Sequence, residues 1–190
     1  MDALITSIVV VALAEIGDKT QLLAIVLAAR FRQPLPIIAG IFFATIANHL
    51  GAAWLGSAVA SIVDGTWFRY LIAVSFILMA GWALIPDRLE EKQQPEKARF
   101  GAFLTTLVAF FLVEMGDKTQ LATVALGARF HDIWGVAAGT TLGMMITNVP
   151  AVLAGNALIR RIPLKFVRIA AALMFLALGL WLLIQTLVDR

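Results

Sequence analysis

Two acidic side chains three residues apart, Glu15 and Asp18, stand inside a long apolar run of a 190-residue chain, followed at once by Lys19. The same pattern returns 99 residues later as Glu114, Asp117 and Lys118: Glu15-Ile-Gly-Asp-Lys-Thr-Gln-Leu22 is answered by Glu114-Met-Gly-Asp-Lys-Thr-Gln-Leu121. Residues three apart share a face of a helix, so Glu15, Asp18 and Gln21 form one polar stripe and Glu114, Asp117 and Gln120 another. A charged group in the middle of a membrane-spanning helix costs about 2.5–3.5 kcal/mol. Six of them imply that they meet one another, water or an ion. Four carboxylates with amide and hydroxyl oxygens make a hard donor set, suited to Ca2+, Mn2+ or Mg2+ and unsuited to Cu+. Four acids less two lysines leave a net charge of −2, which one divalent cation balances. Without the ion the carboxylates repel, so protons and metal compete for one coupled site.

Around these residues the chain is 61% hydrophobic with a mean hydropathy of +0.92, too apolar for a water-soluble domain. It has no cysteine, which excludes thiolate ligands, thiol nucleophiles and disulfides. Its basic residues are scattered through short loops, which argues against a nucleic-acid partner. Met1-Asp2-Ala3 offers no basic leader, so the first apolar segment reads as a spanning helix.

About 20 apolar residues cross a bilayer. The expected fold is an all-α integral membrane protein with six transmembrane helices, near 3–29, 36–61, 67–86, 101–128, 133–158 and 165–187. A solvated linker, 87–99, separates a first three-helix repeat (1–86) from a second (100–190). The offset of 99 also relates Arg30-Phe31 to Arg129-Phe130, Gly40 to Gly139, Gly56 to Gly155, Arg69 to Arg168 and Trp82 to Trp181. An odd number of crossings turns the second repeat upside down, giving an inverted-topology repeat with the two acidic motifs facing at the midplane. Ten basic residues (Arg30, Arg32, Arg88, Lys92, Lys97, Arg99, Arg160, Arg161, Lys165, Arg168) fall on one side and three (Arg69, Arg129, Arg190) on the other. That asymmetry puts the linker in the cytoplasm and both termini outside.

Gly17 and Gly116 sit between the acids and can interrupt the helix, freeing carbonyls toward the site. Lys19 and Lys118 either compensate charge in the empty site or reach toward water. Asn48, His49 and Asn148, mid-helix, could supply ligands or brace the acids, together with Gln21 and Gln120. His49 aligns with Asn148, and a nitrogen donor would tilt preference from Ca2+ toward Mn2+. Pro150 frees a carbonyl one turn earlier. Gly135, Gly139 and Gly143 permit close helix contact. Met144 and Met145 pack, and Trp67, Trp82 and Trp181 pack or anchor the two supporting helices. A purely structural reading would neutralise Glu15 and Asp18 with Lys19 and Lys118 in inter-helix ion pairs.

The doubled signature Glu-x-Gly-Asp-Lys-Thr, with a charged linker between two three-helix halves, resembles the GDT-type cation antiporter family. The short chain is most similar to its bacterial branch of MneA-like manganese exporters. The resemblance implies export of Mn2+, or of Ca2+, in exchange for protons, with Glu15, Asp18, Glu114 and Asp117 as the functional acids. It implies a bacterial inner-membrane location, no cofactor and no enzymatic activity. Six helices can enclose a site alone, so a monomer is expected, with a homodimer as the alternative. Other classes fit the residues less well. An intramembrane aspartyl protease wants Gly-x-Gly-Asp, but Glu15 stands two before Gly17. A carrier of a small organic cation or amino acid wants apolar volume and fewer acids. A passive channel would show no proton dependence.

Overall fold

The computed structural model describes residues 3–63, 65–86, 101–154 and 164–188. Among these residues the chain forms eight helices: α1 (Ala3–Glu15), α2 (Lys19–Phe31), α3 (Pro34–Ile62), α4 (Thr66–Ala83), α5 (Ala102–Glu114), α6 (Lys118–Phe130), α7 (Ile133–Ala154) and α8 (Leu164–Val188). The linker 87–99 and residues Gly155, Arg160, Arg161 and Arg190 lie outside the described residues.

The expected first and fourth helices are each two helices. Gly17 and Gly116, at φ of 80° and 78°, take a left-handed conformation that residues with a side chain adopt at a cost. Each glycine ends one helix and the following aspartate starts the next. At the offset of 99 the bounds coincide: α1 begins at 3 and α5 at 102, α2 ends at 31 and α6 at 130. A 13-residue helix rises only about 20 Å, so neither α1 nor α2 reaches across about 30 Å of hydrocarbon alone. Four helices, α3, α4, α7 and α8, are long and apolar enough to cross by themselves.

α1 packs on α7 as α5 packs on α3, a pairing the repeat relates, and α4 packs along α8 with Phe76 stacked on Phe175. Gly139 and Gly143 let α7 approach α1, because a Cβ there would strike Leu4, Ser7, Ile8 and Val11. Gly135 serves otherwise: its amide donates to Asp132 Oδ1 at the start of α7.

Two apolar clusters result. One gathers Val10, Ala53, Leu126, Val136 and the α4–α8 pair. The other gathers Leu23, Leu27, Ile37, Ile41, Phe110 and Ala151. Between them, α3 passes through Thr45, Asn48 and His49, and α7 through Thr140, Thr147 and Asn148. The polar layer that the motifs need thus lies between two dry ones. The outward faces carry exposed Leu35, Trp67, Leu78, Trp134 and Val188, as a lipid-facing surface requires.

Candidate functional site

Both helix breaks point into the polar layer. At each, one helix ends with its carbonyls and the next begins with its amides. Asp18 is the N-cap of α2 (φ −78°, ψ 166°) and its carboxylate accepts the Thr20 amide. Asp117 occupies the same place on α6 (φ −76°, ψ 163°). A carboxylate there faces the positive end of the helix dipole, which offsets part of its desolvation. Each break is braced by the glutamine of its own motif. Gln21 Oε1 accepts the Gly17 amide at 2.9 Å, and Gln120 Oε1 accepts the Gly116 amide at 2.6 Å. Gln21 also donates to the Thr147 carbonyl at 3.1 Å, the carbonyl that α7 presents near Pro150. The two glutamines therefore turn their oxygens to the backbone.

Glu15, Asp18, Glu114 and Asp117 are all buried, at 0–2% exposure. The lysines pair across the repeat: Lys19 Nζ lies 3.0 Å from Asp117, and Lys118 Nζ 2.8 Å from Asp18. Sequence neighbours on a helix point about 100° apart, so each lysine is directed away from the aspartate beside it. The ion pairs of the packing reading thus form, but they leave Glu15 out. Both of its carboxylate oxygens are buried without a hydrogen-bond partner.

One ligand atom from each of Glu15, Asp18 and Asp117 lies within 4.8 Å of the others. That span is what one divalent ion bridges, with oxygens at about 2.1–2.6 Å from the metal. Glu114 stands differently: its Oε1 is 2.8 Å from His49 Nε2 and 3.4 Å from the Thr119 hydroxyl, which also reaches Asp117 at 3.2 Å. Asn48 donates to the Phe111 carbonyl at 3.1 Å, and Asn148 to the Met144 carbonyl at 3.1 Å. Asn148 keeps its own oxygen buried and unpartnered. Thr119 was visible in the sequence as part of the motif, but nothing there marked its hydroxyl as shared by two acids. Met144 is fully buried, while Trp67 and Trp181 are more than two-fifths exposed. Trp181 meets the Arg129 guanidinium, which also donates to Gln185.

A buried cluster with a formal net charge of −2 (four carboxylates less two ammoniums) in an apolar shell can hold a cation. The comparison with known proteins agrees. The family model described as "Divalent cation/proton antiporter GDT1" matches residues 3–91 and again 102–190, one match per half. A Vibrio cholerae protein named "Putative manganese exporter" is 50% identical over 182 residues, covering 95% of this chain and 90% of that protein. A GDT1-like protein of Synechocystis is 28% identical, covering 92% of this chain and 93% of its own. GDT1-like protein 5 of Arabidopsis thaliana is 26% identical, covering 88% and 89%. No solved structure matches. The chain is an integral membrane protein of a transporter family and belongs to the GDT1 divalent cation/proton antiporters.

Proposed function

We propose that this protein exports Mn2+ from the cytoplasm of a bacterium in exchange for protons, by alternating access around Glu15, Asp18, Glu114 and Asp117. The observation that carries this reading is the buried three-carboxylate group at the meeting of two helix breaks, with a fourth acid beside it. Its oxygen donors suit a hard divalent ion. Manganese is favoured over Ca2+ by the name of the 50%-identical relative.

In this reading α1 with α2, and α5 with α6, each make one crossing in two steps. The chain then crosses six times, as two inverted repeats (1–86 and 100–190) joined by a cytoplasmic linker (87–99), with both termini outside. Protons and metal exclude each other because each neutralises the same carboxylates. Lys19 and Lys118 act as tethered counter-charges, so the aspartates keep a cationic partner between ions.

Inside-out vesicles loaded with the protein should take up Mn2+ and release protons, and a protonophore should collapse the uptake. Glu15→Gln and Asp117→Asn should each abolish the coupled flux. Unchanged flux in both variants defeats the proposal. Proton-independent flux turns it into a channel.

A further inference from the structure

The two halves carry the same motif, yet they treat its glutamate differently. Glu15 has no hydrogen-bond partner, while Glu114 is held by His49. The difference traces to one repeat position. His49 stands where the second half has Asn148, since 49 plus 99 is 148. Both are buried on the equivalent helices α3 and α7. The imidazole is long enough to reach the glutamate of the facing helix, and with its proton on Nε2 it donates to Glu114 Oε1. Asn148 folds back instead, onto the Met144 carbonyl at 3.1 Å and the Thr147 hydroxyl at 3.4 Å.

We propose that His49 is a positioning residue that draws Glu114 aside, so that the cation seats first among Glu15, Asp18 and Asp117. Glu114 joins only after releasing His49. This rests on the cation-transport function proposed above. Affinity for a hard cation climbs with the number of charged ligands. A carrier must also let the ion go, so binding has to stay weak enough for release. A repeat with two identical halves would present two equivalent glutamate–aspartate pairs and hold the ion from both sides at once. The histidine breaks that equivalence. It keeps Glu114 of the second half in reserve while Glu15, Asp18 and Asp117 receive the ion.

The test is Mn2+ affinity of the purified full chain, measured for Glu15→Gln and Glu114→Gln in three backgrounds: His49, His49→Asn and His49→Gln. With His49 present, Glu15→Gln should weaken binding at least ~10-fold and Glu114→Gln less than ~3-fold. In His49→Asn, which copies Asn148, the two losses should become equal within about 2-fold, and the parent of that series should bind Mn2+ more tightly than the natural chain. His49→Gln retains a side-chain donor and should preserve the inequality. A histidine serving only to hold the fold would lower all affinities together and leave the ratio unmoved. Should His49→Asn fail to fold, Asn148→His gives the same readout, because it draws Glu15 aside and again equalises the glutamates. Equal losses with His49 present, or an inequality that survives in His49→Asn, overturns the proposal. A natural chain that stays intact in size-exclusion yet binds neither Mn2+ nor Ca2+ fails at the underlying function instead.

Discussion

The two motif copies share seven of their eight residues and differ in what covers them. At the first break, Leu164 at the start of α8 lies against Gly17, so close that a Cβ would sit 2.6 Å from its Cδ2. At the second, a Cβ on Gly116 would meet nothing within 4 Å. Helix α8 packs on α1, whereas its repeat mate α4 packs on α6. The same residues therefore build the same bend twice, and the neighbours decide which carboxylate is engaged and which bend is covered. Local sequence sets the shape of a break; lateral packing sets its chemistry.

The largest test of this contrast lies in the crossed ion pairs. Lys118 is the more enclosed lysine, at 5% side-chain exposure against 17% for Lys19. Removing one partner of a buried pair strands the other charge, at a cost of about 3–5 kcal/mol. Lys118→Met should therefore lower the unfolding temperature in detergent more than Lys19→Met, and Asp18→Asn should recover much of the loss in the double variant. Equal shifts would mean that the two pairs are equally wet.

A middle-sized effect concerns the glycines. A side chain in the left-handed region costs about 1–2 kcal/mol at either position. Gly17→Ala must also displace Leu164, so it should destabilise by roughly 1 kcal/mol more than Gly116→Ala, as overpacking in a filled space does. Thermal unfolding of the two variants side by side reads the difference.

The smallest effect belongs to the threonines. The Thr119 hydroxyl serves Glu114 and Asp117, while the Thr20 hydroxyl is buried without a partner. Thr119→Val should cost about 1–2 kcal/mol, and Thr20→Val should be neutral or slightly stabilising. A costly Thr20→Val would show that the first half has an engaged form like the second.

Much of this was written in the chain at short range. The offset of 99 and the glycines inside apolar runs marked where both breaks could fall, and the outer edges of the six expected segments fell within three residues of expectation wherever the structure describes them. The apolar lengths marked the walls. What could not be read were relations between helices that meet only sideways. Gln21 and Gln120 looked like ligands because they share the acidic stripe, yet a helix that stops at glycine leaves an amide the glutamine is better placed to satisfy. Inter-helix ion pairs of the lysines could be anticipated for Glu15 and Asp18, yet the direction of Lys19 off α2 sends it to Asp117 and leaves Glu15 unpaired. His49 was visible as a buried histidine, but its hold on Glu114 depends on how α3 crosses α5, which no periodicity encodes.

The crossed lysines also impose an order on synthesis. When the first half has been made, Asp18 has entered an apolar environment and its cation, Lys118, is still 32 residues from being translated. Until then the nascent first half is an electrically unfinished object that lipid alone cannot complete. Its final seating must wait for the second half to arrive.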